Sequence, residues 1–280
     1  MKPIIDWAAL QSLLMPSMLV QGREIPNWDH IAPMYDMMAE MERVYTYNQV
    51  NCFDTDSEDT VLDIGCGPGR ISCAMAERAK SVTALDLFLV MMEYCRKNAT
   101  ERGLNNIHTL HMDWKDAELG KNIDKHDIVI ASRSVGIGDI RKLNAFAQKY
   151  VVLIAWANAP SIPPILNELF AGTNPQADDR RPPLFKEDRR VGYNATWNMV
   201  YDIGADPNIR IVTDGFTKNF DNDNAAYAWL RRLQPFDDQY LPIFQRNLEP
   251  YITHNSDGSV TFRKETRSYV LWWEPIALAE

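Results

Sequence analysis

Short apolar runs recur through the first half of the chain and alternate with stretches of helical spacing, a pattern that predicts strands and helices in turn. Val61, Leu62 and Ile64 make the first run. Ser81–Asp86, Ile107–Met112, His126–Ala131 and Tyr150–Trp156 follow as the second to fifth predicted strands. The fifth, Tyr-Val-Val-Leu-Ile-Ala-Trp, is almost continuously apolar, as a strand covered on both faces must be. Helices are expected over Arg70–Ala79 and Ile140–Gln148. Before the first strand, Ile31, Met34, Tyr35, Met38, Met41, Glu42 and Tyr45 fall mostly at helical spacing, with Asn27-Trp28-Asp29 as a start signal.

After Trp156 the alternation stops. Residues 157 to 191 are rich in proline and charge around one apolar stretch, Ile165 to Phe170, and are expected to form an insertion over the mouth of a pocket. Regular structure resumes with a helix over Tyr193–Gly204 and a strand from Ile209 to about Phe220, which the turn-prone Asp214-Gly215 is expected to interrupt. Two helices are predicted at Asn224–Leu233 and Leu241–Leu248. Asn255-Ser256-Asp257-Gly258 is a hairpin turn leading to a closing strand at Tyr269–Trp273. The expected organisation is one compact domain with four parts: a helical cap (1–50), a ligand-binding core (51–156), a lid insertion (157–192) and the rest of the sheet with a helical arm (193–280).

The segment from Asp63 to Arg70 carries the most specific chemistry. Gly65, Gly67 and Gly69 let the chain turn sharply between a strand and a helix and approach a ligand closely. The dinucleotide fingerprint needs Gly-x-Gly-x-x-Gly, and here the third glycine comes one residue early, which disfavours a nicotinamide or flavin dinucleotide. Asp63-Ile64-Gly65-Cys66-Gly67-Pro68-Gly69 resembles motif I of the class I S-adenosylmethionine-dependent methyltransferases, Asp/Glu-x-Gly-x-Gly-x-Gly, at every position. An acid at its head suits a cofactor that carries an ammonium group.

The resemblance spans about residues 45–156 and 193–274. It implies a three-layer α/β fold: a doubly wound, mostly parallel seven-stranded sheet with an antiparallel last strand, beneath an N-terminal helical layer that roofs the cofactor. It implies S-adenosyl-L-methionine as cofactor and S-adenosyl-L-homocysteine as product, held by Asp63, Gly65, Cys66, Gly67, Pro68 and Gly69. Asp86, at the tip of the second strand, is placed to accept both ribose hydroxyls, with Leu87 beside it. Asp113 and Trp114, after the third strand, occupy the positions where the family commonly has a carboxylate near the adenine amino group and a side chain against the ring. Ser132 is assigned to the same site.

In a doubly wound sheet the acceptor should lie near the loop after the fourth strand, here Ser132-Arg133-Ser134-Val135-Gly136-Ile137-Gly138. That loop lacks the Asn/Asp-Pro-Pro-Tyr/Phe element of enzymes that methylate base or glutamine nitrogen, and the Pro-Cys nucleophile of pyrimidine carbon methylation. Arg133 offers a bidentate fork for an anionic substrate, with pairing to an acid of the N-terminal layer as the alternative. Tyr35 is the first candidate for a lid residue touching cofactor or acceptor. No general base can be named.

Composition narrows the partners. The 280 residues carry a net charge of −9, which weighs against nucleic acid, and the lone Arg-Arg pairs at 180–181 and 189–190 are interleaved with acids. Four cysteines without paired spacing are expected as reduced thiols, and His108 and His111 would point to opposite faces of a strand, so no metal site is expected. No apolar run approaches the roughly 18 residues of a membrane span, and the polar N-terminus does not resemble a signal peptide, so a cytoplasmic protein without membrane contact is expected. Methyl transfer to a small-molecule acceptor is the leading function, with a homodimer left open. The alternatives are a protein or RNA methyltransferase, or a cofactor-binding regulator of the same fold.

Overall fold

Strand β1 (Thr60–Ile64) lies at the centre of a parallel array, between β2 (Ser81–Asp86) and β4 (His126–Ser132), with β3 (Ile107–His111) beyond β2 and β5 (Ala147–Trp156) beyond β4. In this computed structural model, residues 5–7, 9–10, 28–157, 160–174 and 192–278 are described. The sheet continues antiparallel through β8 (Val260–Trp273) to β6 (Asn208–Phe220), in the order β3-β2-β1-β4-β5-β8-β6. A short extra strand, β7 (Ile252–His254), pairs with β8 across the Asn255–Gly258 turn and adds an eighth member to the seven expected.

Alternation within each strand decides what each face packs against. Leu62, Ile64, Val129, Leu153, Leu271 and Trp273 face one layer, formed by α4 (Ile140–Phe146) and α6 (Gly192–Asp202) through Leu143, Phe146 and Val200. Val61, Ile128, Ile130, Val152 and Val270 face the other, against Ile71, Ala74 and Met75 of α2 (Arg70–Ala76) and Val50 of α1 (Ala32–Val50). Each such side chain contributes about 1.5–3 kcal/mol by leaving water. Helix α3 (Leu89–Glu101), between β2 and β3, completes the winding. Several predicted helix ends move: α2 stops at Ala76, α4 at Phe146, the helix expected to Leu233 at Leu230, and α1 starts only at Ala32, with Pro33 in its first turn.

The predicted break in β6 is absent. Asp214 and Gly215 lie inside a strand that pairs with β8 from Asn208↔Trp272 to Phe220↔Val260. Gly215 has φ +152°, and a Cβ there would meet Lys264 O at 2.4 Å, so the glycine admits the neighbouring strand instead of making a turn. Strand β5 reaches only as far as the pair Trp156↔Ser268. The rest of the β6/β8 ribbon therefore projects past the carboxyl end of β5. It supports a separate apolar cluster in which Met37, Met38 and Met41 of α1 meet Phe216, Phe220, Val260 and Phe262. Helices α5 (Ile162–Leu169), α7 (Asp223–Leu230) and α8 (Leu241–Leu248) close that cluster with Ile165, Leu230 and Phe244. The expected lid thus contains α5, while its stretch 175–191 lies outside the described residues.

Candidate active site

The strand order reverses between β1 and β4, and the crevice outside their carboxyl ends is where such sheets bind ligands. The loop after β1 enters it with Gly65, Gly67 and Gly69 all at positive φ. Two of the three are filled by the protein itself: a Cβ on Gly65 would lie 2.6 Å from Ser134 Cβ, and one on Gly69 would lie 2.6 Å from Cys95 Sγ. At Gly67 a Cβ would meet nothing within 4 Å. Gly67 is therefore the point where the loop backbone borders open space.

Asp86, at the tip of β2, is tied to that point. Its Oδ2 accepts the Gly67 N–H at 2.8 Å and its Oδ1 the Phe88 N–H at 2.9 Å. Burial lifts its pKa, and the backbone donors of Phe88, Gly67 and Leu87 offset part of the rise. With three backbone donors around it, the carboxylate still has acceptor capacity for a further donor. The neighbouring Leu87 accepts a 2.9 Å hydrogen bond from His111 Nε2 through its carbonyl. Asp113 caps the turn Trp114–Asp116 by accepting the Lys115 N–H at 2.9 Å, and Met112 N donates to Asp86 O at 3.0 Å, so the tips of β2 and β3 are held together.

Other expected cofactor residues face inward. Asp63 is 1% exposed, and its Oδ2 accepts the Ser72 hydroxyl at 2.6 Å. Burial pushes its pKa up to about 6, against the lowering effects of Ser72 and Arg70. It lies behind the loop, where it braces the first turns of α2. Trp114 is also buried, with Phe146 edge-on at 5.1 Å and Lys142 Nζ 4.4 Å from its ring centroid, and its indole Nε1 has no hydrogen-bond partner. The Cys66 thiol is held well above its ordinary pKa by hydrogen bonding with Cys95 and by burial. The Pro68 carbonyl accepts from Asn98 Nδ2 at 2.9 Å, and the same Nδ2 reaches Asp36 Oδ1 at 2.7 Å, linking α1 to the glycine loop.

Beside the loop, α1 meets the end of β4 and the middle of the β6/β8 ribbon in a buried polar network. Arg133 Nη1 donates to Glu42 Oε1 at 2.5 Å, and its Nη2 donates to Asp214 and, at 3.0 Å, to Ser268 Oγ. Its guanidinium lies over Trp156, 3.3 Å from the ring centroid. Both arms of the fork proposed for an anionic substrate are thus occupied, one of them by an acid of the N-terminal layer. Arg70 donates to Gln49 Oε1 at 2.7 Å, Thr46 Oγ1 at 3.0 Å and Ser132 Oγ at 3.0 Å, with Nε 3.5 Å from Glu42 Oε2. Gln49 Nε2 and Ser268 Oγ both donate to Asp214 Oδ2, at 2.9 and 2.5 Å. Two arginines and two acids balance in charge.

Tyr35 stands two turns before Glu42 on α1, with Trp28 edge-on at 5.0 Å. Its phenol is pushed up to about 12, chiefly by burial, with Arg133 lowering it and Glu42 raising it. At neutral pH it is a hydrogen-bond donor and not a base. Glu42, Gln49, Asp214 and Ser268 escaped the sequence-based site. An acid on an otherwise apolar helix face was the signal for Glu42; Asp214 had none, since Asp-Gly ordinarily marks a turn.

The strand order and the glycine loop after β1 together define the fold of the class I S-adenosylmethionine-dependent methyltransferases. Residues 61–155 match a family described as a methyltransferase domain. An uncharacterized protein of Haemophilus influenzae is 31% identical over 132 residues, covering 45% of this chain and 48% of that protein. An uncharacterized RNA methyltransferase of Streptococcus pneumoniae is 31% identical over 74 residues, 26% of this chain and 16% of that protein. Among solved structures, a methyltransferase from Thiobacillus denitrificans in complex with S-adenosyl-L-homocysteine has a TM-score of 0.52. It covers 89% of this chain and 99% of that chain at 13% identity, a likeness of fold. The chain spans about half or less of the length of the curated relatives it matches. Among the described residues no helix is long and apolar enough to cross a membrane.

Proposed function

We propose that this chain transfers the methyl group of S-adenosyl-L-methionine to a small-molecule acceptor. The observation that carries the proposal is the pairing of Gly67 with Asp86: the loop glycine that borders open space donates its N–H to the acid at the tip of β2. The donor set fits such a cofactor. Asp86 presents an acceptor for the ribose hydroxyls, the loop backbone at Gly67 can be approached closely, and Asp113 stands at the adjoining strand tip. When bound, the sulfonium supplies a methyl group on a good leaving group. The protein's part is to hold donor and acceptor in line at near-contact distance, which by itself lowers such a barrier by several kcal/mol. Tyr35, protonated at neutral pH, can donate a hydrogen bond to either partner.

A small molecule is favoured by the cap, since α1 and the projecting β6/β8 ribbon stand over the carboxyl ends of β4 and β5. The occupied fork of Arg133 argues against an anionic acceptor. The RNA methyltransferase relative matches 26% of this chain, so its name bears on the shared core and not on the cap. Calorimetry with S-adenosyl-L-homocysteine tests the cofactor: the wild type binds, and Asp86→Ala weakens binding by at least about tenfold. Binding of a nicotinamide dinucleotide with no response to S-adenosyl-L-homocysteine would overturn the cofactor assignment. Labelled methyl from S-adenosyl-L-methionine, offered with fractionated cell extract, should enter the small-molecule fraction. Label recovered in RNA or protein would overturn the acceptor class.

A further inference from the structure

Glu42 occupies a position where an apolar residue would be expected. Its helix-face neighbours are Met38, Met41 and Tyr45, and it is 3% exposed. Its two oxygens are divided between two arginines: Oε1 takes Arg133 at 2.5 Å, and Oε2 lies 3.5 Å from Arg70 Nε. Arg70 follows Gly69 directly, and Arg133 follows the last residue of β4. A single carboxylate therefore grips both loops that border the crevice at the reversal of strand order.

The arrangement is costly for the fold. Arg133 is the one non-glycine residue with positive φ among the described residues, at +51°, and its Nε is buried without a partner. Buried charge networks are commonly no more stabilising than apolar residues of the same volume. Strained and incompletely paired groups gather where a fixed geometry is used. The β4 loop also reaches the glycine loop directly: Ser134 Oγ donates to Ile64 O at 2.5 Å, and Ser134 Cβ fills the space beside Gly65. A shift of Arg133 is therefore passed to Gly65 from one side, while a shift of Arg70 reaches Gly69 from the other.

We infer that Glu42 is a positioning residue for the methyl-donor site, holding the β1 and β4 loops at a fixed separation through Arg70 and Arg133. The inference rests on the cofactor assignment made above. Glu42→Gln keeps the size of the side chain and removes its charge. Hydrogen exchange of the ligand-free variant should be faster at residues 65–70 and 132–138. Its affinity for S-adenosyl-L-homocysteine should fall by at least about tenfold, although Glu42 is not among the groups assigned to hold the cofactor. Glu42→Asp, which retains the charge on a shorter stem, should give an intermediate affinity and covers the case in which the glutamine variant fails to fold. Glu40→Gln serves as the control: it removes the exposed pair with Lys218 on the same helix and should leave affinity within about twofold.

If Glu42 merely docked α1, Glu42→Gln would melt earlier, exchange would rise within α1 alone, and affinity would stay at the wild-type value. That result would overturn the inference and leave the cofactor assignment intact. A wild-type protein that ignores S-adenosyl-L-homocysteine would overturn both.

Discussion

Arg133 Nη1 and Glu42 Oε1 lie 2.5 Å apart although 91 residues separate them in the chain, and with Asp214 on Nη2 the guanidinium is held from two sides. Removing one member of such a buried set leaves its partners uncompensated. Arg133→Met should therefore destabilise the protein by about 3–5 kcal/mol, read as the shift in urea unfolding. In the double variant Glu42→Met/Arg133→Met the two losses should not add, because the second change removes a charge that the first had stranded. Additive losses would mean that the pair is energetically independent.

Gly65 and Gly67 of the β1 loop should respond differently to alanine. At Gly65 the new methyl would collide with Ser134, so Gly65→Ala should lower stability by about 2–4 kcal/mol in thermal or denaturant unfolding. At Gly67 the methyl has room, and the cost should be limited to the roughly 1–2 kcal/mol of a left-handed alanine. Gly67→Ala should nevertheless lose most of its affinity for S-adenosyl-L-homocysteine in calorimetry, because the methyl projects into the space a ligand would use.

Asp63 makes a pH-dependent claim. Its pKa rises from 3.8 to about 6 on folding, so the folded state holds a proton more tightly than the unfolded one. The cost of ionising it in place is absent below about pH 4, grows between about pH 4 and 6, and is complete above, at a size on the order of 3 kcal/mol. Asp63→Asn should remove that slope. In urea titrations at several pH values, the stability of the variant relative to wild type should rise across pH 4–6 and then level off. A difference independent of pH would show that folding leaves the Asp63 pKa unshifted.

Gly215→Ala should be among the more damaging single-methyl substitutions, since its Cβ would stand 2.4 Å from Lys264 O in a ladder that cannot part locally. A loss of about 3 kcal/mol is expected from unfolding in urea. If Asp214-Gly215 formed a flexible turn in solution, the variant would be near neutral.

The parallel half of the sheet was legible because its strands other than β3 are local apolar runs with their own turn signals, and the loop from Asp63 to Arg70 was legible because its chemistry lies in consecutive residues. The ribbon was not. Thr261-Phe262-Arg263-Lys264-Glu265-Thr266-Arg267 looks polar when read along the chain, yet Phe262, Thr266 and Ser268 alternate inward once β6 is alongside. The same pairing turns Asp214-Gly215 from a turn signal into a strand interior. For the buried network, proximity is set by tertiary packing: Glu42 marks only one end of contacts whose other ends, Arg133 and Asp214, stand far along the chain.

Strand β8 begins at Val260, in the apolar cluster beyond β5 that we propose as a cap, and ends beneath α4, where Trp273 Nε1 donates to Asn144 Oδ1 at 3.2 Å. Roof and foundation are thus one uninterrupted piece of backbone. A cap built this way cannot be exchanged as a cassette between related sequences, because cutting it out removes the strand that seals the core. Diversification of what it covers must proceed by replacing side chains in place or by lengthening the connections between α5 and β6 and between β6 and β7.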